Sequence, residues 1–271
     1  MSIVHFKVVF LQPNHNHEIM KKISMLLFAV AILLMGCSNG TNNGKKVDNG
    51  GAKEEKKGAE ANEKPELGTM QDYDGNTYKT VKIGQQEWMA ENMRAEHDRD
   101  GKAIAIALLS ETGYVKPYLY CPDNNSDNVK EYGYLYNWPA AMKVCPEGWH
   151  LPSDAEWTQL TDYLKDNGYS CGGEKEYVAK ALASKTGWES SSDQCDVGNN
   201  PSTNNASGFS ALPAGSYYGY YYYFGYTAPF WSATEYYVSY AWFRALGCYY
   251  AYVGRYYGSK SDGRSVRCVR D

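Results

Sequence analysis

The segment from Gly215 to Gly258, GSYYGYYYYFGYTAPFWSATEYYVSYAWFRALGCYYAYVGRYYG, holds 15 of the chain's 26 tyrosines and contains no Asp, Asn, His, Lys or Gln. A hydrophobic core draws on Leu, Ile and Val, and a solvated face draws on Lys and Glu. This stretch does neither, so its rings must pack on one another or face a partner. The pool is Tyr217, Tyr218, Tyr220, Tyr221, Tyr222, Tyr223, Tyr226, Tyr236, Tyr237, Tyr240, Tyr249, Tyr250, Tyr252, Tyr256 and Tyr257. Tyr carries a large rigid amphipathic face on two side-chain torsions, so it gains contact area at small entropic cost. Tyr and Arg are also frequent anchors of binding energy. The expectation is a ligand-binding face to which about half of these tyrosines contribute, because exposed aromatic patches mark interaction sites. The others pack under loops, with Trp231, Trp242 and Phe230 in the core.

The formal net charge of −4 and the absence of a basic stripe argue against a nucleic-acid partner. A length of 271 residues fits one ordinary domain with appendages. The appendages are legible at the N-terminus. Met20-Lys21-Lys22 is a short positive region, and Ile23 to Met35 is an apolar run broken only by Ser24. That run is too short for a stable membrane span and fits a signal segment. Leu34-Met35-Gly36-Cys37 resembles a bacterial lipobox, so Cys37 is expected to be diacylated and to become the new N-terminus. Two acyl chains anchor a protein stably where one holds only marginally.

This divides the chain into residues 1–19 upstream of a start at Met20, a signal peptide over 20–36, a tether over 37–68 and a globular domain over 69–271. Ser38 to Leu67 is rich in Gly, Asn, Lys and Glu. It has too few apolar residues to offset the entropy of ordering. A flexible chain of that length reaches roughly 30 Å. The expected location is the cell envelope, lipid-anchored in the outer membrane, with the membrane itself as one partner.

Within the domain, Asp74-Gly75-Asn76 is a turn signal between short strands near Thr77–Ile83 and Glu87–Met89. Its acids lack the repeated carboxylates of a calcium loop. Pro139 after Trp138 suits the first turn of a short helix over 139–143. Ser153-Asp154-Ala155-Glu156 fits a capping box, and Trp157, Leu160 and Leu164 follow at helical spacing. Asn167-Gly168 ends that helix. A weaker helix is expected over 174–185, and beyond Gly187 only short strands and long loops up to Val266. His150 reads as a satisfied, partly buried histidine. The chain contains no HExxH, CxxC pair, GxSxG or phosphate-binding glycine loop, so no metal and no cofactor is expected. Six cysteines besides Cys37 allow 15 pairings, and the residues alone do not choose among them.

Several phrases in order carry a resemblance: YDGNTYKTVKIGQQEWMAENMR, YGYLYNWPAAM, CPEGWHLPSDAEWTQL, GFSALPAG, FWSATE and SVRCVRD. Together they resemble the Fibrobacter succinogenes major paralogous domain over about Met70 to Asp271. That family looks related to C-type-lectin-like folds, including the formylglycine-generating branch. The resemblance implies an α+β, C-type-lectin-like fold: two helices packed on small twisted antiparallel sheets, long irregular loops and chain ends close together. It implies a Cys145–Cys268 disulfide, since both fall in family motifs, with Cys171–Cys195 as the second guess and Cys121 and Cys248 paired or free.

In some relatives of this fold the stretch around the fixed WSATE is rewritten by a diversity-generating retroelement. Such elements scatter Asn codons toward Tyr, Ser, Gly and similar residues but not toward Trp or Glu. Only Trp231, Glu235 and Trp242 of the segment belong to the unreachable set. Three functions follow as alternatives: an envelope-anchored binding module for a macromolecular ligand, a carbohydrate-binding envelope protein, and an enzyme of the formylglycine-generating type. The last needs a reactive thiol pair, for which Cys248 and Cys268 are the only late cysteines. The expectation is that the protein is not an enzyme and that its partner is a protein or a glycan.

Overall fold

The Asp-Gly-Asn turn sets the first hairpin. In the computed structural model, which describes residues 67–107 and 113–271, strand β1 (Leu67–Gln71) pairs antiparallel with β2 (Thr77–Ile83). Gly75 sits at φ +79°, where a side chain would be strained. The Asp72 carboxylate closes the turn by accepting from the Asn76 N–H at 2.9 Å and from the Tyr78 hydroxyl at 2.5 Å. The Asp74 carboxylate turns elsewhere, accepting from the Glu96 N–H at 2.6 Å and meeting His97 Nδ1 at 2.5 Å. β2 continues through Gly84 into β3 (Gln86–Met89). The signal segment, Cys37 and the tether up to residue 66 lie outside the described residues. The first described strand, β1, begins at Leu67.

Three short strands and two helices follow. β4 (Ala105–Ile106), β5 (Tyr118–Tyr120) and β6 (Leu135–Tyr136) form one small sheet, and α1 (Val129–Tyr132) is a single turn before β6. α2 (Trp138–Val144) starts one residue before the expected Pro139, with the Asn137 side chain accepting from the Ala140 N–H. After β7 (Trp149–His150), the capping box forms as predicted at α3 (Asp154–Asp166): Ser153 accepts from Glu156 N–H and Glu156 accepts from Ser153 N–H. Its apolar stripe of Trp157, Leu160 and Leu164 is fully buried.

The helix expected over 174–185 is only α4 (Ala179–Leu182). Residues 171–177 instead fold into a local turn, with Cys171 N–H donating to Tyr177 C=O, and Ala183 leaves to bridge Ala211. A second difference lies past Gly187. After the small hairpin of β8 (Ser216–Tyr217) and β9 (Tyr221–Tyr222), β10 (Thr227–Tyr237) has 11 residues, β11 (Tyr240–Gly247) has 8 and β12 (Gly254–Ser259) has 6. They form a three-stranded antiparallel sheet in that order. The last strand, β13 (Val269–Arg270), joins the first sheet in the order β1-β2-β3-β13-β7. The fold is thus α+β, with small and mostly antiparallel sheets and few helices.

Aromatic residues fill much of the core. Trp157 of α3 packs on Trp88 at 4.8 Å and on Phe209 and Phe230 at 5.8 and 5.7 Å. A second cluster holds Met89, Met93, Trp149, Trp231 and Val266. Cys145 and Cys268 are joined there, and Cys171 is joined to Cys195. Arg267 is buried and donates to the carbonyls of Met89, Phe209 and Ser210, tying the last segment to the loop before β8.

Candidate interaction surface

Strand periodicity separates the aromatic residues of β11. Ala241 and Phe243 point inward, while Tyr240, Trp242 and Arg244 share the other face. On the inner side Phe243 meets Trp231 edge-on at 6.2 Å, and the Arg264 guanidinium lies 4.2 Å from the Trp231 ring and 4.0 Å from that of Phe243. Trp231 donates its indole N–H to Tyr136 C=O at 2.7 Å. Trp231 and Phe230 are wholly buried, as expected from the sequence.

The outer side carries a different set. Trp242 stands opposite Tyr257 in register, and Tyr237 stands opposite Tyr240 at the β10–β11 turn. Tyr236 stacks on Tyr257 at 4.1 Å and 17°. Trp242 abuts Tyr236 at 4.9 Å and 74°. The Arg255 guanidinium covers the Trp242 ring at 3.5 Å. Trp242 is therefore half-buried at the centre of a surface cluster and is not a core residue. The expectation of a core tryptophan fails because its strand turns that position away from Trp231.

One carboxylate holds this face to the helix beneath it. Asp154, the first residue of α3, receives Arg244 Nη2 at 2.8 Å and Arg255 Nη2 at 2.9 Å. Arg244 is buried and also donates to Asp154 C=O and Thr158 Oγ1. Burial lowers its pKa, and Asp154 acts in the opposite direction. Beside this clamp, Lys260 bonds Glu235 at 2.7 Å. The sequence gives no signal for the clamp, because Arg244 and Arg255 lie 90 and 101 residues from Asp154, which already has a role in the helix start.

The remaining tyrosines form two further groups. In the β8–β9 hairpin, Tyr218 stacks on Tyr222 at 4.2 Å and 6°, and the turn runs through Gly219 at φ +87°. Tyr220 is its most exposed ring. Tyr217 corrects the sequence expectation for a binding residue: it is 1% exposed and stacks on Tyr120 at 4.0 Å, so it is part of the core. Tyr226 and Tyr249 meet at 6.2 Å, and Tyr250 and Tyr252 at 5.4 Å. Tyr256 packs on Phe243 at 5.6 Å, and burial raises its pKa. In all, Tyr218, Tyr220, Tyr223, Tyr226, Tyr236, Tyr237, Tyr240 and Tyr257 are exposed. Tyr221, Tyr222, Tyr249, Tyr250, Tyr252 and Tyr256 are half-buried.

The other residues singled out by sequence have settled surroundings. His150 contacts Asp271 Oδ1 through Nδ1 at 2.5 Å and Glu156 Oε1 through Nε2 at 2.7 Å. Burial lowers its pKa, but the hydrogen bonds to Asp271 and Glu156 outweigh it and leave it raised. Cys248 is buried, and burial pushes its thiol up to about 12. Cys121 is half-buried, with its thiol also raised by burial. Among the described residues, no three His, Cys, Asp or Glu side chains gather into a metal-holding group.

The family model of the Fibrobacter succinogenes major domain matches residues 81–270. No curated protein and no solved structure matches the chain.

Proposed function

This chain belongs to the Fibrobacter succinogenes major domain family, and on that premise we propose that it is a lipid-anchored envelope protein that captures a macromolecular ligand, protein or glycan, on its tyrosine-rich face. The observation that carries the proposal is the exposure of eight tyrosines on strands, a tight hairpin and the turn that follows it, with Tyr237 at 68% and Tyr220 at 71%. Rings held this way lose little entropy on binding, which is the property that makes Tyr effective in antibody loops. Acylation of Cys37 supplies the anchor in this reading, and the tether lets the domain reorient at the membrane.

A C-type-lectin-like architecture is part of the same proposal. Its support is that β1 and β13, the first and last described strands, share one sheet. Diversification of the segment is also part of it. Of the three residues outside the reach of Asn-codon rewriting, Trp231 lies in the core and Glu235 bonds Lys260 beyond the segment, while Trp242 lies beneath Arg255 of the segment itself. Thiol chemistry of the formylglycine-generating type finds less support. Cys268 is bonded to Cys145, and the Cys248 thiol is buried with a raised pKa, which suppresses the reactive thiolate.

The test uses the full acylated protein in lipid vesicles, probed with a glycan array and a displayed library of random linear peptides. Replacing Tyr218, Tyr220, Tyr236, Tyr237 and Tyr257 together by Ser should abolish capture while the thermal unfolding midpoint stays near that of the parent. Capture that survives the five substitutions refutes the proposal.

A further inference from the structure

Outside the tyrosine segment, the domain encloses a cleft of about 600 Å³ to which no residue of 215–258 contributes. That volume lies within the range of small-molecule sites. Its walls carry Lys79 of β2, Lys130 of α1 and Lys185 of the loop after α4. All three lysines are exposed. Among the described residues none of them is ion-paired, whereas Lys165, Lys175 and Lys260 each bond a carboxylate.

Two carboxylates share the cleft, Glu91 and Glu131. Glu91 does not pair with a lysine ammonium; its Oε2 accepts from the Lys79 backbone N–H at 2.6 Å. Behind the wall lies a fourth cation. Arg267 is buried and donates to neutral acceptors, Asn92 Oδ1 and the carbonyls of Met89, Phe209 and Ser210, and Ser210 itself lines the cleft. The carboxylate whose charge acts on Arg267 is Glu91. Four cations therefore stand against two carboxylates here, in a chain whose formal net charge is −4. A concave site with such a surplus concentrates anions.

The side chains suit the two halves of one ligand. Lys is a compact point charge with three donors, which fits a tetrahedral phosphate met from several sides. A carboxylate is matched better by the planar fork of Arg, and no arginine lines this cleft. Asn205, also in the wall, spends its Oδ1 on the Ser210 N–H at 2.7 Å and keeps its amide NH₂ as a further donor. The two carboxylates oppose a bare anion but accept from hydroxyl groups.

We propose that this cleft is a second ligand site and that it takes a phosphorylated sugar or polyol. The phosphate meets Lys79, Lys130 and Lys185, and the hydroxyl groups donate to Glu91 and Glu131. A soluble phosphate ester and a lipid headgroup present the same chemistry to these residues. The site is independent of the tyrosine face, so its failure leaves the capture reading untouched.

The experiment titrates the full acylated chain, held in phosphatidylcholine vesicles, with glucose-6-phosphate, glycerol phosphate, inorganic phosphate, glucuronate and glucose by calorimetry. The two phosphate esters should bind more tightly than inorganic phosphate, and glucuronate and glucose should bind least. Lys79→Gln, Lys130→Gln and Lys185→Gln should each weaken the esters about tenfold or more, the loss expected when a hydrogen bond between charged groups is removed. Added salt should weaken them too, because the lysines are exposed. Glu131→Gln should weaken the esters yet leave inorganic phosphate held as well or better, since it removes a repelling charge along with an acceptor for hydroxyls. All four substituted positions are exposed, so the urea midpoints should match the parent's. Repeating the titration in vesicles with phosphatidylglycerol, and with phosphatidylserine at equal charge, separates the sources. A larger loss of apparent ester affinity in phosphatidylglycerol supports the site with a lipid headgroup as its ligand, and equal affinity in the two supports it with a soluble one. The inference is overturned if neither ester binds, if inorganic phosphate or glucuronate binds as tightly as the esters, if the lysine variants keep the parent's affinity, or if Glu131→Gln affects esters and inorganic phosphate alike.

Discussion

Replacing both Cys145 and Cys268 by Ala should destabilise the domain more than replacing Cys171 and Cys195, and the difference follows from loop length. The first bridge spans 123 residues and the second spans 24. In the chain-entropy treatment the unfolded state gains about 5 kcal/mol from opening the long loop and about 3.4 kcal/mol from opening the short one. The long bridge also ties the C-terminal end of α2 to the segment leading into β13, so its loss frees the strand that lies between β3 and β7 in the five-stranded sheet. At about 2–4 °C per kcal/mol for a domain of this size, the melting midpoint should fall by about 10–20 °C for the first pair. Equilibrium unfolding in urea under non-reducing conditions, followed by tryptophan fluorescence, gives both differences directly. The slope with urea should also rise, because the uncrosslinked chain exposes more surface when unfolded. The reasoning is refuted if the Cys171–Cys195 variant is as destabilised as the Cys145–Cys268 variant.

His150 provides a prediction in pH. Its pKa is raised by Asp271 and Glu156 against the opposing effect of burial, so its contribution is full below the unfolded value of about 6.5 and is lost as pH rises through the native pKa. The urea midpoint of the parent should exceed that of His150→Asn most clearly below that unfolded value, and the gap should close toward alkaline pH; a gap that widens refutes it. Ser153→Ala removes the acceptor for the Glu156 N–H and half of the capping box. It should cost about 1 kcal/mol in urea unfolding, and an unchanged midpoint would mean that α3 is held by its buried stripe alone.

The features that the sequence discloses are those set by contacts a few residues apart. The capping box at Ser153, the Asp74-Gly75 turn, the Asn167 stop and the buried stripe of α3 depend on spacings of one to four residues, which the chain carries openly. The Cys145–Cys268 bridge was implied by family resemblance, since neither spacing nor composition pairs two cysteines so far apart. The 174–185 segment misleads for a local reason. Val178, Ala181 and Leu182 are buried as a helix would bury them, but Cys171 is tied to Cys195 and Ala183 bridges Ala211. Those long-range ties leave room for a single helical turn.

The tyrosine segment was legible in its chemistry and illegible in its geometry. Alternation of apolar and polar residues is the ordinary sign of a half-buried strand, and β11 erases it by placing aromatic rings on both faces: Phe243 inward and Trp242 outward. Only the partners separate the two. Phe243 is half-buried against Trp231 and Arg264 of the core, while Trp242 meets Arg255, whose other contacts lead to Asp154 at the start of α3. The same pairing explains how such a surface stays folded. Tyr236 and Tyr257 satisfy one face on each other and Trp242 satisfies one on the Arg255 guanidinium, so the patch does not need to collapse inward even though Tyr237 stays exposed.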